Sequence, residues 1–162
     1  FTHDSSRCPR RFDAFLTPGA TKEKIKYINT SRDSYVINSE LDSGNSIVEV
    51  PISSFFLPYM SNISRISPFI MSVIRNKLFR EVKSKGGFLN YLTHPNEFVE
   101  LDGPAKTTYR SDYLLGYILT DFLRHKLKLQ RMGRVGLAIL EDEIKNAKNE
   151  GFTFEKISSV NL

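Results

Sequence analysis

Residues 86–98 read GGFLNYLTHPNEF, and this stretch decides the fold that we expect for the rest of the chain. The pair Gly86-Gly87 ends a helix, a short apolar run crosses the core, and His94 follows directly before a proline. In an α/β protein the strand ends form an open edge, where a side chain can reach a ligand. His94 is therefore the first candidate for chemistry. The alternative is a histidine that only caps a strand through hydrogen bonds.

The sequence before this stretch predicts a strand followed by a helix. Residues 46–52 are rich in β-branched side chains and predict a strand, which Pro51 ends because it lacks a donor. Ser67 and Pro68 suit the first turn of a helix, and apolar spacing near 3.6 continues this helix to the glycine pair. Its predicted buried face consists of Phe69, Ile70, Val73, Ile74, Leu78, Phe79 and Val82. Strand, helix and strand together predict a parallel βαβ unit from Ile47 to Thr93.

The remaining segments complete a predicted α/β fold that forms one domain over residues 1–162. Turn-forming residues predict a loop over residues 1–22, and the apolar loop Phe55–Met60 is predicted to be buried or, alternatively, to line a ligand cleft. The other predicted elements are short strands at Ile25–Ile28 and Tyr35–Ile37, helices at Asp112–Leu129 and Leu137–Asn149, and a final strand at Phe152–Ile157.

Composition excludes several classes of protein. The 162 residues suffice for one domain with a core, and 40% hydrophobic and 25% charged residues are ordinary for a globular protein. No apolar run is long enough for a transmembrane segment, and no signal peptide is visible. Cys8 is the single cysteine, which excludes an internal disulfide framework. The compartment stays open between the cytoplasm and the cell envelope. Because the chain begins at Phe1, without methionine, we expect it to be cut from a larger protein, and a processed or renumbered terminus is the alternative.

Several basic residues cluster between positions 124 and 134. The net charge is +5, with a basic cluster formed by Arg124, Lys126, Lys128, Arg131 and Arg134. Such a cluster can attract phosphates, but it is more often a solvated helix face. A nucleic acid is therefore not the expected partner, and a basic nucleic-acid-binding module remains an alternative.

Residue chemistry alone supports little beyond His94. A catalytic metal needs about three protein ligands at compatible spacing, and the chain has only His3, His94 and His125, without an H-x-x-x-H pair. A set of His3, Asp4 and His94 is geometrically conceivable. The G-x-S-x-G nucleophile motif and the phosphate-binding loop are both missing from the sequence. The residues alone therefore indicate an α/β chain with one well-placed histidine.

Three motifs in a fixed order resemble a known family. Asp4-Ser5-Ser6 is followed by IVEVPIS at residues 47–53, and then by Gly86-Gly87 leading into His94-Pro95-Asn96-Glu97. This order is similar to the C-terminal half of a polysaccharide deacetylase, in the NodB-homology superfamily of carbohydrate esterases. Members often show "YDSS", "EVPVS" and "HPWE" at these places, and a last helix with the pattern L-x-x-L-x-x-x-G-F-x-F. Residues 140–154 resemble that last helix, so the match touches most of the chain.

The resemblance implies both a fold and a reaction. The fold is a distorted (β/α) barrel, and the reaction is metal-dependent hydrolysis of N-acetyl groups on a polysaccharide or amino-sugar glycan. Zinc or a similar divalent metal is held by an Asp-His-His set, and a second aspartate acts as the base. These residues are expected upstream, in an N-terminal half of the domain that this chain lacks, so the chain alone is expected to be inactive. His94 would be the general acid that protonates the leaving amine, and Pro95, Asn96 and Glu97 would bind substrate.

The chain departs from the family pattern at two motif positions. Asn96 stands where the family has tryptophan, and His3 stands where it has tyrosine. Glu97 has three possible roles, which are to bind His94, to brace the loop or to remain at the surface. The first alternative to an enzyme is a non-catalytic relative that keeps the barrel to bind a glycan or a protein.

Overall fold

A computed structural model of the protein describes residues 3–5, 7–9, 30–38, 46–100 and 129–159. These residues have a mixed α/β structure with three strands and three α-helices. Two predictions lie outside them, namely the strand Ile25–Ile28 and, except for its last residue, the helix Asp112–Leu129. Most of the predicted loop 1–22 also lies outside.

The three strands form one small sheet in the order β1-β3-β2. Strand β1 (His3–Asp4) runs parallel to β3 (Ser46–Glu49), and β2 (Tyr35–Asn38) runs antiparallel to β3. The predicted strands at Tyr35–Ile37 and at residues 46–52 are confirmed, although β3 ends at Glu49. The prediction of a loop over residues 1–22 is wrong at His3 and Asp4. Two residues are too few to show the alternation by which a strand is recognised in sequence.

The predicted βαβ unit is only partly present, because the described stretch before His94 forms no strand and does not pair with β3. After β3 and the helices, the chain returns in an extended form and pairs in parallel at one bridge, between Met60 and Leu92. The N–H of Leu92 donates to the oxygen of Tyr59 at 3.1 Å, and that of Ser61 donates to the oxygen of Leu92 at 2.9 Å. The ladder stays short because the facing chain loops out between Ser54 and Pro58, which bridge to each other.

Two helices, α1 (Ser61–Ile66) and α2 (Pro68–Lys85), follow β3, and a single residue separates α1 from α2. That residue is Ser67, whose hydroxyl accepts from the N–H of Ile70 at 3.4 Å and so satisfies one free donor of the first turn. Helix α2 ends at Gly86, where φ is +78°, a backbone region that favours glycine. The predicted start and end of this helix are both confirmed.

Helix α3 spans Arg134–Asn149 and begins three residues before the predicted start at Leu137. Gly133 precedes it with φ of +66°, and Gly151 follows it with φ of +84°. The prediction of a final strand over Phe152–Ile157 is wrong, because residues 152–156 are irregular and lead into the 3-10 helix Ile157–Ser159. The ring of Phe152 packs 4.7 Å from that of Phe79, so this aromatic side chain covers the helical core instead of joining a sheet.

The core lies between the loop after β3 and one face of α2. Its buried residues are Tyr59, Met71, Ile74, Leu78 and Phe79. The predicted face of α2 is partly wrong, since Phe69, Ile70 and Val73 are exposed and the Phe69 side chain is 77% accessible. Apolar residues cover more than one side of this helix, so spacing alone did not identify the side that packs. The loop at residues 55–60 is mixed, with Tyr59 buried and Phe56 exposed.

No helix in the described part of the chain is long and apolar enough to cross a membrane.

Candidate functional site

The three motif-bearing stretches lie side by side. Asp4 and Glu49 face each other in the parallel pair β1–β3. Farther along the same two stretches, the N–H of Ile52 donates to the oxygen of Arg7 at 2.9 Å. On the other side, the N–H of Ser53 donates to the oxygen of Asn90 at 3.0 Å. The chain order of the motifs is therefore also their spatial order. His94 follows two residues after the parallel bridge at Leu92.

Asn90 connects all three stretches through its side chain. Its amide nitrogen donates to the oxygen of Val50 at 2.9 Å, to the oxygen of Pro51 at 3.3 Å and to the hydroxyl of Ser5. Its main-chain N–H donates to the hydroxyl of Ser53 at 2.9 Å. None of the sequence motifs includes a role for this residue. The signal was a single amide inside an apolar run, because a polar side chain in such a place needs hydrogen-bond partners.

His94 lies at the surface, at the start of a tight turn. Its backbone is extended, with φ of −110° and ψ of 134°, and it precedes the 3-10 helix Pro95–Phe98. Its oxygen accepts from the N–H of Glu97 at 2.9 Å, while its side chain makes no hydrogen bond to the described residues. Pro95 and Asn96 are also exposed. Within the described residues, the imidazole of His94 is thus not used as a capping group.

Glu97 points inward, unlike the three residues before it. It is only 3% exposed, and its carboxylate lies 3.3 Å from a guanidinium nitrogen of Arg65, which is 1% exposed. The hydroxyl of Thr93 donates to the same carboxylate at 3.4 Å. Of the three roles considered for Glu97, its burial and its ion pair fit the one in which it braces the loop, and its burial does not fit the expected contact with substrate. Arg65 itself was missed, since nothing local in the sequence links it to a residue 32 positions later.

The described residues do not fit a metal site. No group of three histidine, cysteine, aspartate or glutamate side chains within them is arranged to hold an ion, and this includes His3, Asp4 and His94. The family resemblance places the metal ligands upstream of this chain, and that stays a prediction.

A buried aromatic group fixes α3 to the core behind the turn. The hydroxyl of Tyr59 donates to the carboxylate of Glu143 at 2.8 Å, and the Arg75 guanidinium donates to the other oxygen of this carboxylate at 2.9 Å. The ring of Tyr91 packs 4.7 Å from that of Tyr59. Burial raises the pKa of both tyrosines above the usual range, and the charge of Glu143 adds to the effect. Both phenols therefore stay protonated and act as structural hydrogen-bonding groups.

A cavity of about 830 Å³ opens at the C-terminal end of α2, between that helix and residues 30–34. Arg32 forms two hydrogen bonds of 2.8 Å with Glu81 at its wall. The guanidinium holds the pKa of Glu81 at about 2, well below its ordinary value. None of the predicted site residues lines this cavity, so it is separate from the turn that carries His94.

Comparison of the chain with protein-family models, with curated proteins and with solved structures gave no match. The deacetylase resemblance thus depends on the motifs quoted above.

Proposed function

We propose that this chain is the C-terminal half of a deacetylase-type (β/α) barrel, in which His94 acts as a general acid during hydrolysis of glycan N-acetyl groups. The observation that supports this proposal is the arrangement of the three motif stretches. The Asp-Ser-Ser segment pairs in parallel with the IVEVPIS segment at Asp4–Glu49, and the N–H of Ser53 in the IVEVPIS segment donates to the oxygen of Asn90 in the segment before His94. This order is compatible with part of a (β/α) barrel, whose reactive groups lie where the strands end, and the antiparallel strand β2 would be an addition to that barrel.

The proposed role of His94 follows from the chemistry of amide hydrolysis. When the C–N bond of an N-acetyl group breaks, the nitrogen must gain a proton to leave as an amine, and acetate is the other product. An imidazole can donate that proton near neutral pH. The exposed side chain of His94 has no competing partner among the described residues. Pro95 and Asn96 are exposed beside His94 and would contact the sugar. Glu97 lies beneath the turn and would hold it in place without contacting the sugar.

The other half of the site belongs to this proposal as well. The divalent metal, zinc or similar, and the base would be held by an N-terminal half of the domain, outside this sequence. The piece of 162 residues is accordingly expected to release no acetate from an acetylated glycan.

The test uses the protein at its full natural length. Acetate release from an N-acetylglucosamine oligomer is compared for the wild type, His94→Ala and the exposed control Glu155→Gln. Loss of a general acid should lower kcat by about 10²–10⁴ in His94→Ala, while Glu155→Gln keeps the wild-type rate. Circular dichroism is used to check that all three are folded. Unchanged kcat in folded His94→Ala would contradict the proposed role.

The same experiment separates the enzyme from its non-catalytic alternative. A wild-type protein that binds the oligomer in calorimetry, holds no divalent ion and releases no acetate would be a glycan-binding relative. Binding to DNA or RNA that weakens steeply with salt would instead favour the basic module.

A further inference from the structure

A buried ion pair lies directly beneath the turn that carries His94. Arg65 reaches it from α1 and Glu97 from the 3-10 helix, with 1% and 3% of their surfaces exposed. Arg65 also donates to the oxygen of Gln130 at 3.0 Å and to the side-chain oxygen of Asn62. Burying two charges costs several kcal/mol, so such a pair is not simply a source of stability. In some proteins, buried ionic groups are kept because they specify one local structure.

Glu97 holds the turn through its main chain as well as through its carboxylate. Its N–H donates to the oxygen of His94 at 2.9 Å, and its oxygen accepts from the N–H of Gly133 at 2.8 Å. Gly133 immediately precedes α3. The residue therefore links the His94 turn to α1 through Arg65 and to the start of α3 through Gly133. His94 itself is exposed, and its own side chain adds no bond to the described residues that would fix its position.

We propose that the Arg65–Glu97 ion pair is a positioning device that fixes the His94 turn, and with it the direction of the His94 imidazole. This inference rests on the proposed function, in which His94 protonates the leaving amine. A proton donor must lie within hydrogen-bond reach of its acceptor, and a displacement of about 1 Å can cost about 10²-fold in rate. Neither Arg65 nor Glu97 touches the substrate, so both act through His94.

The first test is a double-mutant cycle on kcat in the full-length protein. Glu97→Gln keeps the shape of the side chain and removes its charge, and Arg65→Lys keeps the charge and removes the planar fork. We expect kcat to fall about 10–100-fold in Glu97→Gln and less in Arg65→Lys, with KM nearly unchanged. In the His94→Ala background, Glu97→Gln should cost nothing further, because the group it positions is gone. An equal loss in both backgrounds would overturn the proposal.

Glu143→Gln is the matched control. Glu143 also forms a largely buried ion pair, with Arg75 at 2.9 Å, and it is attached to the core through Tyr59. Its substitution should lower thermal stability as Glu97→Gln does, while kcat below the melting temperature stays at the wild-type value. An equal loss of kcat in Glu143→Gln and Glu97→Gln would show a general effect of lost stability and would contradict the positioning role.

A second readout does not need activity. The imidazole proton signals of His94, assigned by their loss in His94→Ala, are recorded by NMR in Glu97→Gln, Arg65→Lys and Glu143→Gln. We expect them to shift or broaden in the first two and to stay in place in the third. Unmoved signals in folded Glu97→Gln refute the ion pair as a positioning device, whether or not the protein is a deacetylase. If the signals move in Glu97→Gln and Arg65→Lys but the wild-type protein releases no acetate, the proposed reaction is refuted and the structural link between the ion pair and His94 stands.

Discussion

Replacement of Asn90 by alanine should weaken the junction of the three motif stretches. The change removes the amide that donates to Val50, Pro51 and Ser5, and it leaves the oxygen of Val50 without the donor 2.9 Å away. Main-chain bonds between Ser53 and Asn90 survive, because the N–H of Ser53 and the oxygen of Asn90 are unaffected. The variant therefore loses hydrogen bonds at a half-buried position and loses little packing.

The magnitude follows from the groups left without a partner. An unsatisfied buried acceptor costs about 1–3 kcal/mol, and here the Val50 oxygen is the main one. We expect Asn90→Ala to lower the free energy of unfolding by about 2 kcal/mol, which corresponds to a fall of about 4–8 °C in melting temperature for a chain of this size. Asn90→Asp should cost more at neutral pH, because a carboxylate would face the oxygens of Val50 and Pro51.

Urea denaturation followed by circular dichroism measures both variants. Asn76→Ala, at an exposed position of α2, is the control and should stay within about 0.5 kcal/mol of the wild type. The Asn90→Asp variant should recover part of its stability at acidic pH, where the new carboxyl is protonated. If Asn90→Ala matched the Asn76→Ala control, Asn90 would not join the three stretches, and the reasoning would be refuted.

Two further predictions concern the packing of α3 and the acid stability of α2. Gly136→Ala places a methyl group 2.7 Å from the oxygen of Glu97, so we expect a loss of about 1–3 kcal/mol in thermal unfolding, which the exposed control Lys145→Ala should not show. Because Arg32 lowers the pKa of Glu81 to about 2 from an ordinary 4.5, the pair stabilises the fold above pH 4.5, and this contribution is lost as the pH falls toward 2. Arg32→Ala should lower the free energy of unfolding by about 1 kcal/mol at pH 7. Over the acidic range, the free energy of unfolding of this variant should depend less on pH than that of the wild type. Identical curves of stability against pH for the two proteins would contradict a stabilising ion pair.

Local signals in the sequence predicted the helix and the main strand well. Ser67 with Pro68, and Gly86 after Lys85, mark the ends of α2 because capping and positive φ depend on single residues. The side of α2 that packs against the core was harder to predict. Phe69 is as apolar as Phe79, and only the tertiary structure leaves Phe69 exposed and buries Phe79. The alternation at residues 152–157 looked like a strand, but pairing needs a neighbour that no local pattern can supply.

The candidate site was predictable only in its exposed part. The order of motifs pointed to His94, and the structure places this residue at the surface as the first residue of the turn. Asn90 and the Arg65–Glu97 pair are long-range contacts, and each residue alone looked like an ordinary polar side chain. The inward direction of Glu97 follows from the Pro95–Phe98 turn and the guanidinium beneath it, which are properties of the assembled fold.

The most direct test of the central claim varies the leaving group. The full-length wild type and His94→Ala are compared on an N-acetylglucosamine oligomer and on an activated aryl acetate, whose phenolate leaves without a proton. If His94 is the general acid, His94→Ala should lose about 10²-fold or more in kcat on the amide and stay close to the wild-type rate on the aryl ester. Equal losses on both substrates would contradict the account, because His94 would then serve the site without protonating the leaving amine.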